Sequence, residues 1–292
     1  MKTIEINQPP SAAASFLGVL LASRKQATAV DALPEVTLVR PQVVLDVAQI
    51  ARYAQICGFH AAQGVPLSYP QMLTFPLLMA FFASGDCPWP AMGTVHLANR
   101  IVQHQRLNAG DSLRVEVQTG RLLAHEKGQI FELDLRILRA EELVWEATQT
   151  LLRIGVKAPA GPAYASSLTQ DLPLSHQADF LAPANIGRRY GGVSDDMNPI
   201  HLSALSARLF GFRRAIAHGL WTQARALAAL LPREALTQAE LTVEFKTPLF
   251  LPARATLWNT REIKGSLQRA ALFEVRNAKG DKLHLRGLLA YR

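Results

Sequence analysis

The segment GLWTQARALAALL, residues Gly219 to Leu231, is predicted to form a helix, and four segments of alternating apolar and polar residues follow it. Those segments are Ala239 to Phe245, Ala253 to Thr260, Gln268 to Arg276 and Lys282 to Arg292. A hydrophobic period of two is typical of strands with one buried face. One helix followed by several long strands therefore predicts a helix wrapped by a curled antiparallel sheet.

The same succession occurs in the first half of the chain. Its helical segment is Tyr69 to Phe82, and Pro76 within it should kink the helix or mark its start. The alternating segments after it are Thr94 to Gln105, Ser112 to Leu122, Gln129 to Leu138 and Leu143 to Ile154. Turn signals agree as well, with a Lys-Gly pair at 127–128 and again at 264–265. We predict an α+β fold of two such helix-and-sheet units, with a generic α+β domain as the alternative.

A proline-rich segment separates the two units. Residues 157–175 contain three prolines and small polar residues without a hydrophobic period, which is typical of a linker. We therefore divide the chain into an amino-terminal arm at 1–34, a first unit at 35–156, a linker at 157–178 and a second unit at 179–292. The apolar run Ala12 to Ala22 in the arm is shorter than the about 20 residues that span a bilayer. Its flanking charges do not fit a signal peptide, so we expect an amphipathic or loosely docked arm and no membrane span.

Composition and charge narrow the function further. The 292 residues are 49% hydrophobic and 18% charged, an ordinary globular composition that excludes disorder and collagen-like order. Only two cysteines are present, which favours a reducing compartment, and we expect a cytoplasmic protein. Residues 1–150 carry 12 basic and 13 acidic side chains, whereas 151–292 carry 19 and 10. The basic second half suits a phosphate-bearing ligand, an acidic carrier protein or a solvated surface, and the lack of a recognition motif disfavours nucleic acid.

A polar segment of the second unit carries the chemistry. Asn198 before Pro199 predicts the start of a helix that runs to Phe210, with Gly211 as its stop. An apolar stripe should anchor this helix, and it consists of Leu202, Leu205 and Leu209. Asp196 then lies just before the cap and His201 in the first turn. An acid and an imidazole on opposite sides of one bend can hold a single water.

A second feature lies at the start of the helix that opens at Gly219. The first amides of a helix have no partner within it, and their partial positive charge suits an oxygen that becomes negative during a reaction. Glycine also lets a ligand approach the backbone closely. His218 before it either faces the pocket or only forms the turn, and we favour the turn.

Other interpretations of these residues stay open. Asp196 and His201 alone are more often a helix cap and a surface histidine. Asp195, Asp196 and His201 are metal-ligand types, yet no second cluster has the spacing that completes a zinc set, and we expect no metal. Ser194 near a histidine lacks the G-x-S-x-G sequence of a hydrolase elbow. The histidines to which we assign no role are His60, His96, His104, His125, His176 and His284.

The polar segment resembles a known family. The chain matches the hydratase 2 motif Y-x(3)-S-G-D-x-N-P-[IL]-H of MaoC-like (R)-specific enoyl-CoA hydratases and 3-hydroxyacyl-thioester dehydratases. The matching positions are Tyr190, Ser194, Asp196, Asn198, Pro199 and His201. The similarity continues through Ala207 to Phe212, Ala215 to Trp221 and Phe245 to Pro252, and more loosely through the first half from about Leu33. It covers nearly the whole chain beyond the arm.

The resemblance implies a double hot-dog fold in which only the second unit holds a site. It implies reversible hydration of trans-2-enoyl thioesters to (3R)-3-hydroxyacyl thioesters in fatty acid metabolism. Asp196 and His201 would share the water and the proton transfers, Asn198 would fix their loop, and the Gly219 amide would bind the thioester oxygen. Candidate substrate-binding residues are Tyr190, Ser194 and His218. The substrate would be an acyl-CoA or acyl carrier protein thioester that brings coenzyme A or phosphopantetheine with it, so no separate cofactor is expected, and a homodimer fits the family.

One position departs from the motif. Asp195 replaces the glycine that usually precedes the catalytic aspartate. Aspartate tolerates a positive φ better than most residues, so we expect Asp195 to point to solvent and activity to survive. Two other functions stay open, namely thioester hydrolysis and a non-catalytic acyl-thioester binding module whose site Asp195 has spoiled.

Overall fold

A computed structural model describes residues 2–8, 10–22, 25–169, 172–260 and 269–292, without the side chains of 12, 13, 16 and 269. The strands are β1 (Lys2–Glu5), β2 (Val36–Val44), β3 (Thr94–Gln103), β4 (Ser112–His125), β5 (Gly128–Arg139), β6 (Glu142–Ile154), β7 (Ser175–Ala182), β8 (Ala239–Phe245), β9 (Ala253–Asn259), β10 (Arg269–Asn277) and β11 (Leu283–Tyr291). The helices are α1 (Ala12–Leu21), α2 (Val47–Cys57), α3 (Pro70–Ala83), α4 (Ile186–Ser194), α5 (Pro199–Leu202), α6 (Ala204–Arg208) and α7 (Gly219–Leu230).

The strands form one sheet in the order β1-β2-β4-β5-β6-β3-β8-β11-β10-β9-β7. From the centre outward, β3-β6-β5-β4-β2 of the first unit mirrors β8-β11-β10-β9-β7 of the second. The two units meet where β3 pairs antiparallel with β8, which places Asn99 opposite Val243. The sheet thus contains the predicted duplication, and every predicted segment of alternating residues that the structure describes is a strand.

One pairing differs from the predicted antiparallel sheet. β1 runs parallel to β2, with Lys2 opposite Val36 and Glu5 opposite Val39. The chain turns back through α1 before it enters β2, so both strands run in one direction. The arm that we predicted to dock loosely is thereby part of the sheet edge. Lys25 also ties it down, because its ammonium donates hydrogen bonds to the carbonyls of Phe82, Ser84 and Cys87.

The central helices α3 and α7 belong to one continuous hydrophobic core that spans both units. Several of the largest side chains are fully buried there, among them Trp89, Trp145, Trp221, Phe81 and Phe273. Apolar burial of this kind contributes roughly 25 cal/mol per Å² and is the main source of stability. Pro76 lies inside α3, which begins at Pro70, so it does not mark the helix start.

Four further points concern the linker, one predicted turn, the two cysteines and membrane-spanning helices. The predicted linker overlaps β7, which already begins at Ser175. The Lys-Gly turn predicted at 264–265 lies outside the described residues. Both cysteines, Cys57 and Cys87, are free and buried. Among the described residues, no helix has the length and apolar character needed to cross a membrane.

The helix predicted from Pro199 to Phe210 was wrong as a single element. It is split into α5 and α6 at Ser203, whose backbone is extended (φ −156°, ψ 162°). The Ser203 hydroxyl accepts a hydrogen bond from the Ser206 amide at 3.0 Å and caps α6, a competition that serine readily enters. The predicted anchoring stripe was wrong as well, since Leu205 is 75% and Leu209 79% exposed.

Candidate active site

A tightly bonded loop between α4 and α5 carries Asp196. The Ser194 hydroxyl accepts a hydrogen bond from the Asp196 amide at 3.3 Å, and Oδ1 of Asp196 accepts one from the Asn198 amide at 3.2 Å. The Asn198 side chain in turn accepts from the Ile200 amide at 3.3 Å, so it caps α5 as predicted. Side-chain acceptors of this kind satisfy amides that a helix leaves free. The loop therefore holds the carboxylate in one place while its side chain stays 31% exposed.

Asp195 behaves as the sequence predicts. It ends α4 in the left-handed region at φ +60° and is exposed. A position that does require glycine is Gly187, where a Cβ would come within 1.8 Å of the His201 carbonyl oxygen. This close approach sets α4 against α5. The positive φ of this loop thus falls on a residue whose side chain is exposed to solvent.

His201 is 8% exposed and lies in α5. Its Nδ1 is 2.8 Å from the Ile216 carbonyl oxygen. A carbonyl only accepts hydrogen bonds, so Nδ1 carries the proton and Nε2 of the neutral ring has a free lone pair. Burial lowers the pKa of His201, while the charge of Asp196 opposes that shift. The ring is therefore a neutral base at pH 7.

His218 forms the turn before α7 and also belongs to the cluster, whereas the sequence favoured the turn alone. Its ring stacks on His201 with centroids 3.7 Å apart. Nε2 is 3.1 Å from the Asp196 backbone oxygen and 3.6 Å from its Oδ2. Burial, and next the neighbouring His201, lower the pKa of His218 to about 3, so the ring is neutral and donates from Nε2. His218 thus positions the Asp196 loop, and its buried Nδ1 has no partner among the described residues.

The backbone amide of Gly219 opens α7 beside these groups. The residue is exposed, and the first amides of a helix lack partners within it. The Phe245 ring lies so close that a Cβ on Gly219 would stand 2.9 Å from it. Only glycine fits between this ring and an incoming ligand. The amide can therefore donate to an oxygen, and the helix dipole favours negative charge on that oxygen.

Two predicted substrate-binding residues, Tyr190 and Ser194, are buried. Tyr190 is 1% exposed, its ring centroid is 5.0 Å from that of His218, and its hydroxyl donates to the sulfur of Met72. Ser194 is 3% exposed, and its oxygen is engaged with the Asp196 amide. Both placements support a positioning role better than contact with substrate.

The cluster also has the composition of a metal site. Ligand-type atoms of Asp196, His201 and His218 all lie within 4.8 Å of one another. A shared tetrahedral ion needs lone pairs that converge, whereas these two rings are stacked and His218 Nε2 faces a carbonyl. A water between the carboxylate and the free Nε2 of His201 fits this arrangement better.

His96 is a residue that the sequence analysis missed. It comes from β3 of the first unit, and its ring centroid is 4.9 Å from that of Phe245. Burial lowers its pKa to about 4, with the Asp196 charge acting in the opposite direction. Its buried Nε2 has no partner among the described residues. A register shift in β3 beside His96 has no sequence signal, so only the structure brings this side chain to the site.

Comparison with known proteins agrees with this geometry. The MaoC like domain family matches residues 167–278, the segment that holds the whole cluster from Asp196 to Gly219. The chain is 34% identical to 3-hydroxyacyl-thioester dehydratase X of Mycobacterium tuberculosis over 229 residues, which are 78% of this chain and 81% of that protein.

Solved structures give the same result for the fold. The crystal structure of HtdX from Mycobacterium tuberculosis superposes with a TM-score of 0.71 at 29% identity, covering 87% of this chain and 98% of that one. A second protein of that organism, described as having a double hotdog fold, matches with a TM-score of 0.55 at 14% identity over 86% and 93% of the two chains. The chain therefore belongs to the MaoC-like dehydratase family and has a double hot-dog fold.

Proposed function

We propose that the protein is an enzyme that adds water to trans-2-enoyl thioesters to give (3R)-3-hydroxyacyl thioesters, and that it catalyses the reverse dehydration. One observation carries the proposal. The Asp196 carboxylate and the stacked, neutral His201 and His218 gather within 4.8 Å of one another beside the open Gly219 amide. The 34% identity to a 3-hydroxyacyl-thioester dehydratase supports the same activity.

The first role of the site is to hold the water. Oδ of Asp196 and the unprotonated Nε2 of His201 are both acceptors, so one water can donate a hydrogen bond to each. Its oxygen lone pair then faces carbon 3 of the enoyl group. Fixing the nucleophile in this way removes much of the entropic cost of the encounter.

The second role of the site is to transfer a proton and to stabilise the negative charge that develops on the substrate. When the water oxygen bonds to carbon 3, its proton passes to one member of the pair, and the π electrons move toward the thioester oxygen. The Gly219 N–H stabilises that enolate-like oxygen. The group that took this proton then delivers it to carbon 2, which completes the addition of water and returns both groups to their starting state. Dehydration follows the same steps in reverse.

The other parts of the proposal concern the cofactor, the carrier, the location and the assembly of the protein. The thioester brings its own coenzyme A or phosphopantetheine, so the residues of the site need no further cofactor. The basic second half, with net charge +9, suits the phosphates of either carrier or the acidic surface of a carrier protein. We further propose a cytoplasmic role in fatty acid metabolism, with assembly as a homodimer.

Hydration of crotonyl-CoA by the purified protein tests the proposal. We expect loss of the enoyl-thioester absorbance without release of free thiol, and formation of the 3R alcohol. His201→Ala should lower the rate by about 100- to 10,000-fold, the usual value of a positioned proton transfer. Thiol release in step with substrate loss would identify a thioesterase instead. Tight binding without turnover would identify a binding module, and either result would overturn the proposal.

A further inference from the structure

The segment between α5 and α7 starts and ends at the active site. The Ile216 amide donates a hydrogen bond to the Ile200 carbonyl at 3.1 Å, and His201 Nδ1 donates to the Ile216 carbonyl at 2.8 Å. Within the segment, the Phe212 amide donates to the Ala207 carbonyl at 3.1 Å and folds the chain back onto α6. The segment is therefore a compact projection from the protein surface with His201 at its base.

One face of α6 exposes two leucines on this projection. Leu205 is 75% and Leu209 79% exposed, the highest values among the large apolar side chains of the described residues. Arg208 is exposed too, and it lies three residues after Leu205. Positions three and four residues apart are neighbours on a helix surface, so the three side chains share one face. Grouped apolar side chains with a charged rim are typical of an interaction surface.

Two further arginines follow this face along the chain. Arg213 and Arg214 are exposed, and both guanidinium groups lie over the Phe250 ring, 4.7 and 5.8 Å from its centroid. Among the described residues, neither they nor Arg208 form an ion pair with a carboxylate. Three cations of one short segment thus lack a neutralising partner, and an anionic surface would relieve their repulsion. We call the following residues the docking face: Leu205, Arg208, Leu209, Arg213 and Arg214.

Charge selects the partner of the docking face. Residues 186–216 contain five arginines and two aspartates, without any lysine or glutamate. A two-fold contact between two copies of this chain would bring arginines against arginines. Phosphates alone would bind the arginines and leave the leucines in water. The docking face therefore suits a protein whose acidic surface carries apolar side chains among its carboxylates.

The distance from the docking face to the site matches the reach of a carrier arm. Leu205 is four residues from His201, so their Cα atoms are at most about 14 Å apart. Arg214 is two residues from Ile216, whose carbonyl His201 binds. An extended phosphopantetheine arm has about 15 bonds and reaches about 18 Å, enough to bring a thioester from this face to the exposed Gly219 amide. A lipid surface would meet the same charges but offers no such arm.

We propose that the docking face binds the acidic surface of an acyl carrier protein, which delivers the enoyl or 3-hydroxyacyl thioester to the site on its phosphopantetheine arm. The inference rests on the proposed function and selects the carrier for it. The leucines supply apolar contact. The arginines pair with carboxylates of the carrier protein and speed the encounter.

The test compares the crotonyl thioesters of coenzyme A and of an acidic bacterial acyl carrier protein. Arg208→Glu/Arg214→Glu reverses two charges of the docking face and should raise KM for the carrier-protein substrate about tenfold or more, with little change in kcat. Leu205→Ser should raise it about fivefold. In both variants kcat/KM for crotonyl-CoA should stay within about threefold of the wild type.

The matched control is Arg106→Glu. Arg106 is exposed and has no ion pair with a described carboxylate, and it lies beyond the end of β3 opposite to His96. KM for both crotonyl thioesters should equal that of the wild type in this variant.

Three results would overturn the inference. Equal losses with both carriers would assign the arginines to the phosphates of coenzyme A. Unchanged kinetics with both would remove the docking face from substrate delivery. Loss of a dimer, or of binding to phosphatidylglycerol vesicles, in Leu205→Ser with unchanged carrier-protein kinetics would assign the face to a second copy or to a membrane. If neither thioester is hydrated, the proposed function fails. Binding of the holo carrier protein then decides the inference, and about tenfold weaker binding to Arg208→Glu/Arg214→Glu than to the wild type would support it.

Discussion

The two central helices begin differently, and the difference supports the proposal that the site lies in the second unit. α7 starts with Gly219, which is exposed and has a backbone N–H at its first helical position. α3 starts with Pro70, which is buried and has no N–H to offer. Tyr69 before it is 2% exposed and closes the position further. The first unit therefore lacks the amide that an enolate oxygen needs.

The loops that precede α3 and α7 also differ in the roles of their polar residues. In the second unit the loop brings Asp196, His201 and His218 together. In the first unit His60 caps a short 3-10 turn with its own ring, and Gln63 donates to the carbonyl of Pro232 in the other unit. Polar residues of the first unit thus serve local structure and the joint between units.

Asp196→Asn should have the largest effect, because it removes one of the two groups that we propose to hold the water. The rate of enoyl-thioester hydration should fall by about 100- to 10,000-fold, since the amide no longer accepts a proton. Stability should change little, as the side chain is 31% exposed. Steady-state kinetics with crotonyl-CoA and thermal unfolding measure the two effects. Activity above one tenth of the wild type would show that the carboxylate is not in the reaction.

Gly219→Ala should lower kcat/KM by about 100-fold, the value of one oxyanion donor. The new Cβ would stand 2.9 Å from the Phe245 ring, so either the ring or the amide must move. Pro70→Ala at the matching position of α3 is the control and should leave kcat/KM within twofold. Equal losses in the two variants would contradict the assignment of the oxyanion site to the second unit.

The pH dependence of stability should reveal the buried His218 of the second unit. The folded pKa of His218, about 3, lies below its unfolded value near 6.5, so the unfolded chain binds more protons between these values. The contribution of His218 to the free energy of unfolding is fully present above pH 6.5. It falls by up to about 1.4 kcal/mol per pH unit as the pH drops through this window. Urea unfolding at pH 7 and pH 5 should show a shallower loss for His218→Gln than for the wild type. An equal slope for His218→Gln and the wild type would contradict the account.

Asp195→Gly should have the smallest effect. Glycine adopts φ +60° without strain, so the free energy of unfolding should rise by no more than about 1 kcal/mol. Activity should stay within twofold because the side chain is exposed and outside the site. Urea unfolding and crotonyl-CoA kinetics provide the check. A tenfold gain in activity would instead favour the view that Asp195 spoils the site.

Much of this molecule could be predicted from local patterns. Period-two segments located four strands of each unit but not β1, β2 or β7. The cap at Asn198 before Pro199 located the turn that presents His201. Both signals are local, because a strand buries alternate residues and a helix start needs an acceptor. The split at Ser203 was missed because its hydroxyl competes with the helix backbone for the Ser206 amide.

Contacts between the units could not be predicted in the same way. His96 and Asn99 come close to side chains of the second unit because β3 pairs with β8. No spacing within either segment encodes that pairing. The exposure of Leu205 and Leu209 was missed for a related reason, since the break at Ser203 changes which face of the segment points inward. Tertiary pairing, more than local propensity, decides these positions.

The most direct test of the central claim is a double-mutant cycle on Asp196→Asn and His201→Ala with crotonyl-CoA. Two groups that share one water act as a unit, so losing both should cost no more than about tenfold beyond the worse single variant. Kinetics of the wild type, both single variants and the double variant give the result. If the two losses simply multiply, the carboxylate and the imidazole act independently, and the shared water is contradicted.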